Sequence, residues 1–262
     1  MLPSAATFAA HYVDHRSCSA AEAIGARIRE GGLVTLDGLS SRESVLALAR
    51  RLMTLVPHRD SDPDGLTTVR PRLHHAHRVG FAGLGNGELR AHTERSGVLR
   101  PPRLMLLVCQ RPAASGGDTL LADGKAIHAL LAWRWPKAAA ELSRPNTAFF
   151  GGGAGVPTQV FTHQADGRVS IRLRQDSLAQ FSPLIQRYLP RLVGAVETHQ
   201  RLVRLEAGQG FLLDNERWLH ARTAFTGDRL FLRALGDSPA LFPAGFAPSK
   251  LPIRPSGRSS SR

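Results

Sequence analysis

Residues 103–123 read RLMLLVCQRPAASGGDTLLAD. The apolar run 103–110 predicts a strand buried on both faces. Residues 111–119 carry Pro, Ser and two Gly and predict a loop. LLAD then predicts a short or edge strand, and residues 124–135 a helix closed by Pro136. Toward the C-terminus, VSIRLR (169–174) and RLFLRAL (229–235) alternate as strands do. Residues 183–203 predict a helix opened by Pro183, and FLLDNERWLH (211–220) a strand, a tight Asp-Asn turn and a second strand. Toward the N-terminus, residues 20–30 predict a helix, GGLVTLDGL a short strand, and residues 40–57 a helix capped by Ser40 or Ser41 and closed by Pro57. Residues 58–90 are turn-rich and take no assignment.

Strands and helices do not alternate regularly, which excludes a doubly wound parallel sheet. The expectation is a mainly β protein with flanking helices (α+β), its strands arranged in two sheets. A length of 262 residues suits one domain, taken as 1–245. The basic, Pro- and Ser-rich tail 246–262 is expected to be disordered.

Composition narrows the function classes. Hydrophobic residues make up 42% of the chain, enough for a real core. No apolar run is long enough to cross a membrane. The N-terminal residues MLPSAATFAAHYVDHRS lack a basic stretch followed by a long apolar one, so a cytoplasmic protein is expected. Two cysteines, Cys18 and Cys109, with no CxxC pair, argue against a disulfide framework and a thiolate zinc site. Cys109 reads as a buried small hydrophobe. The formal net charge is +13. A nucleic-acid footprint is usually a concentrated patch, whereas these arginines are spread along the chain, so nucleic acid is not the expected partner. GGGAG (151–155) lacks the following Gly-Lys-Ser/Thr of a phosphate-binding loop.

The histidines point to a metal. Two His and one carboxylate can hold Fe(II) on one face and leave positions open for O2 and an organic ligand. His92-Thr93-Glu94 offers a close pair, since residues i and i+2 of an extended chain point the same way. Roughly one His-x-Asp/Glu pair is expected by chance at this composition, and His58-Arg59-Asp60 is a second match. Spacing alone therefore leaves both pairs open. His58 and Asp60 sit in a polar stretch that reads as solvated. His74, His75 and His77 read as a polar segment near a pocket mouth, and His128 as a structural histidine in an apolar helix.

Context separates the two pairs. HTE (92–94) is followed by RPPRLMLLVCQ (100–110), GGDT (116–119), DNERWLHAR (214–222) and RLFLR (229–233). In order and spacing this set resembles the clavaminate synthase-like and taurine dioxygenase-like (TauD/TfdA) branch of the Fe(II)/2-oxoglutarate oxygenases, over about residues 75–235. The resemblance implies a double-stranded β-helix (jelly-roll, cupin-like) core and His92, Glu94 and His220 as iron ligands. It implies 2-oxoglutarate as cosubstrate and O2 as oxidant, with succinate and CO2 formed as a substrate C–H bond is oxidised. Glu94, where Asp is commoner, resembles the amino-acid-oxidising subgroup. A carboxylate at this position argues against halogenation.

2-Oxoglutarate needs a fixed cation for its far carboxylate, and the arginine fork suits a carboxylate best. The resemblance places this cation on the strand after the distal His, at Arg233 first and Arg229 as fallback. It assigns Thr119 a hydrogen bond to the same carboxylate and Arg222 either a cosubstrate contact or a bracing role. Arg174 and Asp176, and the Asn86 region, are candidate substrate contacts. The expected substrate is small and amino-acid-like. Hydroxylation is the leading chemistry, with desaturation, epoxidation and cyclisation open beside it. From other classes, a basic nucleic-acid-binding module and a zinc hydrolase remain as alternatives. A pocket lid that is small, or supplied by a second subunit of a homo-oligomer, fits the short chain.

Overall fold

The computed structural model describes residues 4–72, 79–238 and 243–249. Two antiparallel sheets position the site. Their strands, in chain order, are β1 (Leu33–Leu36), β2 (Thr54–Leu55), β3 (Thr67–Val69), β4 (Leu89–His92), β5 (Leu104–Arg111), β6 (Thr119–Asp123), β7 (Gln200–Val203), β8 (Gly210–Asp214), β9 (Trp218–Arg222) and β10 (Leu230–Asp237). The larger sheet runs β1-β8-β5-β10-β2, with β3 also paired to β10; the smaller runs β7-β6-β9-β4.

The apolar run after Arg103 becomes the centre of the larger sheet because both of its faces are buried. Leu104, Leu106 and Val108 pack with Val34, Leu212 and Ala234 beneath the helices Ala20–Gly31 and Arg42–Leu52. Met105 and Cys109 face the other way, toward Leu121, Val203 and Trp218 of the smaller sheet. The far side of the smaller sheet, with Ala91, Ala122 and Leu219, lies under the helices Gly124–Arg134, Pro136–Leu142 and Leu189–His199. The layers are therefore helix, sheet, sheet, helix. Each large side chain fully buried in them contributes about 1.5–3 kcal/mol. Burial also pushes the Cys109 thiol up to about 12, so it acts as a hydrophobe.

Several elements differ from the sequence reading. The helix expected over 40–57 spans Arg42–Leu52. Ser41 caps it, accepting from the Ser44 N–H at 3.2 Å. It stops before Pro57 because Leu55 pairs with Gly236 of β10. LLAD lies in an interior strand, β6, between β7 and β9. The helix expected over 183–203 breaks into Pro183–Gln186 and Leu189–His199, the second with Pro190 in its first turn, and then becomes β7. FLLDNERWLH is a strand, a turn and a second strand, as expected; β8 belongs to the larger sheet and β9 to the smaller, so the turn carries the chain across the sandwich.

The ordered chain runs past the expected boundary at residue 245. Phe246 is 1% exposed and exchanges backbone hydrogen bonds with Val169 at 2.8 and 2.9 Å. Residues 250–262, and His74, His75 and His77, lie outside the described residues. Among the described residues no helix is long and apolar enough to cross a membrane.

Candidate metal centre and its cavity

At one end of the sandwich, polar side chains on the two inner faces replace the apolar filling. Opposite β4, His220 of β9 is registered against His92, and opposite β6 it is registered against Leu121. Strand alternation sends Leu219 and Ala221 outward and His220 and Arg222 inward. The two imidazoles lie with ring centroids 4.1 Å apart. Glu94 follows in a turn, where Asn215 pins its backbone. The Asn215 Oδ1 accepts from the Glu94 N–H at 2.6 Å, and its Nδ2 donates to the Glu94 and Pro102 carbonyls at 3.0 and 2.8 Å. Asp214 holds Arg103 through two bonds of 2.7 and 2.9 Å. The crossover turn between the sheets therefore fixes one carboxylate of the site.

One ligand atom from each of His92, Glu94 and His220 falls within 4.8 Å of the other two. His92 Nδ1 is 2.8 Å from the Arg90 carbonyl oxygen, which leaves Nε2 as the donor for a metal. Burial holds both imidazoles below their usual pKa, His220 furthest, with His92 as its next cause. Burial by itself would raise Glu94; the Arg233 charge, then His220 and His92, outweigh it and hold the carboxyl at about 2. Downward shifts at both imidazoles and at the carboxyl favour free ring nitrogens and an ionised carboxylate, which a divalent cation requires. The residues present thus fit an iron of the 2-His-1-carboxylate type.

Around this cluster opens a cavity of about 640 Å³, within the usual range for a small-molecule site. Its wall includes Thr119, Arg222, Arg229, Arg233, Arg174 and Asp176. Arg233 Nη1 donates to Glu94 Oε2 at 2.8 Å. Arg229 is 4% exposed, its guanidinium 3.6 Å from the Phe231 ring centre, with no acid beside it among the described residues. Burial, and then the Arg222 charge, lower it to about 9. Arg222 donates to the Gly83, Gly85 and Gly87 carbonyls at 3.2, 2.9 and 2.6 Å, bracing that loop. Thr119 is registered against Arg222. Arg174 and Asp176 grip each other at 2.5 and 2.7 Å.

Asn86 is not brought to the site. Its side chain is exposed and only its carbonyl is engaged, by the Phe225 N–H at 3.0 Å. His58 and Asp60, expected to be solvated, line the cavity instead, with side chains 16% and 17% exposed. Burial, then Arg233, lower His58 to about 4, so it is neutral. Asn215 and Arg95 also escaped the sequence reading. A buried Asn next to an Asp looks like a turn residue, and nothing local shows that its amide reaches back to residue 94.

A fold of two facing antiparallel sheets, with a His-Glu-His cluster in a cavity between them, defines a candidate metalloenzyme. A family model described as taurine catabolism dioxygenase TauD, TfdA family matches residues 3–235, and the chain belongs to that family. Among solved structures, it is similar to asparagine oxygenase in complex with Fe(II), 2S,3S-3-hydroxyasparagine and succinate. The identity is 18%, the coverage 85% of this chain and 83% of that one, and the TM-score 0.67. The non-heme iron oxygenase OrfP in complex with Fe and alpha-ketoglutaric acid matches at 14% identity, 84% and 80% coverage and a TM-score of 0.65. OrfP with Fe, succinate and (3S)-hydroxy-L-Arg matches at 14%, 79% and 76%, and 0.63.

Proposed function

We propose that the protein is a 2-oxoglutarate-dependent Fe(II) oxygenase that hydroxylates an amino acid or amino-acid-derived small molecule. The observation that carries this reading is the His92–Glu94–His220 cluster at the wall of a cavity that also holds a buried arginine with no acid beside it among the described residues. Family membership supports the dioxygenase class. The amino-acid products held by the similar oxygenases support the substrate class. The facing antiparallel sheets support a double-stranded β-helix core.

His92, Glu94 and His220 would hold the iron, which with 2-oxoglutarate and O2 supplies the oxidising chemistry. Across the whole reaction, one oxygen atom ends in succinate and the other in the hydroxylated product, with CO2 released. Asn215 keeps Glu94 aimed at the cluster. Arg229, rather than Arg233, is the anchor for the far carboxylate of 2-oxoglutarate. Arg233 is already bonded to a metal ligand, while the far carboxylate lies several bonds from the chelating keto acid. Arg229 is buried and lacks an acid, and an incoming carboxylate relieves that deficit. Thr119, which also lines the cavity, would donate to the same group. Arg222 braces the Gly83–Gly87 loop.

The test is anaerobic titration of Fe(II) and then 2-oxoglutarate, read by the visible charge-transfer band of a chelated keto acid. Wild type should show the band. His92→Ala should lose it, and Arg229→Ala should need far more 2-oxoglutarate. A folded wild type with no band overturns the reading.

A further inference from the structure

Seven arginines and four carboxylates line the cavity, so at least three of these cations have no acid of the lining to pair with. Arg233 is bonded to Glu94, and Arg174 to Asp176. Arg59 lies 3.3 Å from Asp60. Arg222 is held by three carbonyls, and Arg229 is taken by the cosubstrate in the reading above. Arg90 is exposed, whereas Arg95 is half-buried. Arg95 remains. Among the described residues it has no acid, and its side chain makes a single hydrogen bond, to the Pro57 carbonyl at 3.2 Å.

Its backbone is also unusual. Arg95 has φ 51°, in the left-handed region that a long side chain rarely adopts. The turn closes with the Val98 N–H donating to the Arg95 carbonyl at 3.1 Å. It is wedged against the neighbouring loop: a Cβ on Gly97 would come within 2.7 Å of the Gly151 Cα. Packing therefore holds a strained residue that lines the cavity directly after Glu94 in sequence. Strain of this kind concentrates at ligand clamps and active sites.

We propose that Arg95 is a specificity-determining residue that receives a carboxylate of the substrate, so that the cavity selects a small carboxylic acid over its uncharged analogue. The inference rests on the oxygenase reading. The guanidinium fork offers two parallel N–H donors to a carboxylate, a match that a carboxamide cannot return at both positions.

The experiment uses the full chain loaded anaerobically with Fe(II) and 2-oxoglutarate. The probes are the free L-amino acids and small dicarboxylic acids, each beside its carboxamide. Binding is read as a perturbation of the charge-transfer band, and turnover in air as succinate formed. Arg95→Asn is the main variant, because Asn tolerates the left-handed backbone; Arg95→Lys restores a cation. For acids that act on wild type, Arg95→Asn should raise the half-saturating concentration roughly tenfold to a hundredfold, as for a lost charge-assisted bond. Arg95→Lys should recover part of that loss, while the 2-oxoglutarate requirement stays as in wild type. Four results overturn the inference. One is a wild type that responds to no acid of the panel at millimolar concentration. Another is a carboxamide that binds as well as its acid. The third is an equal loss for both in Arg95→Asn, and the fourth a loss that falls on 2-oxoglutarate instead. A missing band with 2-oxoglutarate alone is a different failure, that of the oxygenase reading itself.

Discussion

Asn215 uses both ends of its amide on the backbone around Glu94, so its loss strips partners from three buried groups at once. Unpaired buried groups are costly. Asn215→Ala should lower stability by about 2–4 kcal/mol in urea unfolding. Removing such an outer-shell partner should also weaken Fe(II) binding by about 10–100-fold. Unchanged iron affinity in the folded variant would show that Glu94 does not depend on this brace. Much of the metal cluster was legible in the sequence, because HTE and the distal DNERWLHAR match a known order of motifs. The cosubstrate cation was harder to read. Arg229 and Arg233 lie four positions apart and both line the cavity, and only the bond from Arg233 to Glu94 and the deeper burial of Arg229 set them apart. His58 was misjudged for a related reason: its neighbours in sequence are polar, and its burial comes from chain that is distant in sequence.

The helix Gly124–Arg134 covers the smaller sheet with His128 on its buried side, edge-on to Phe161 at 5.0 Å. Burial, then the charge of His163, lower His128 to about 4 from 6.5. A histidine depressed in this way favours folding above the unfolded value and loses that contribution as pH falls through the folded one. Stability should thus decline between pH 6.5 and 4, by about 3 kcal/mol from this group. His128→Leu should flatten that decline in urea unfolding at a series of pH values; an unaltered slope would assign the loss to other groups. The strap 243–246 belongs to the same layer. Arg168 donates to the Ala244 and Gly245 carbonyls, and Phe246 fills a fully enclosed place in the core. Phe246→Ala should cost about 3–5 kcal/mol, measured by chemical unfolding; a cost below about 1 kcal/mol would mean that the segment is dispensable. Sequence pattern located the strand cores well, because period-two burial is a local signal. It failed at junctions. The 183–203 helix ends at His199, where β7 returns to pair with β6, and the strand–turn–strand of 211–220 gave no sign that its two strands join different sheets. Both outcomes are decided by pairing partners more than seventy residues away, since β7 meets 119–122 and β8 meets 104–108.

Across the whole molecule, a set of largely buried arginines ties elements together. Arginines tie the crossover turn through Asp214, the start of the Gly124 helix through Asp123, and the Gly83–Gly87 loop through its carbonyls. In the cavity, Arg229 and Arg95 are left with no acid among the described residues. Loading should therefore stabilise the fold as well as prepare it for chemistry. A ligand that binds only the folded state adds RT ln(1 + [L]/Kd), about 2.7 kcal/mol at a hundredfold excess over Kd. For a chain of this size that corresponds to a rise in Tm of roughly 5–10 °C. Under argon, Fe(II) alone should raise Tm. 2-Oxoglutarate should add most of its increment only after the metal, because in the proposed binding mode one molecule reaches both the His-Glu-His cluster and Arg229. In Arg229→Ala the metal increment should survive and the 2-oxoglutarate increment shrink. If 2-oxoglutarate stabilises the wild type equally with and without metal, the cosubstrate is not chelated at the cluster, and the buried arginines serve a separate anion.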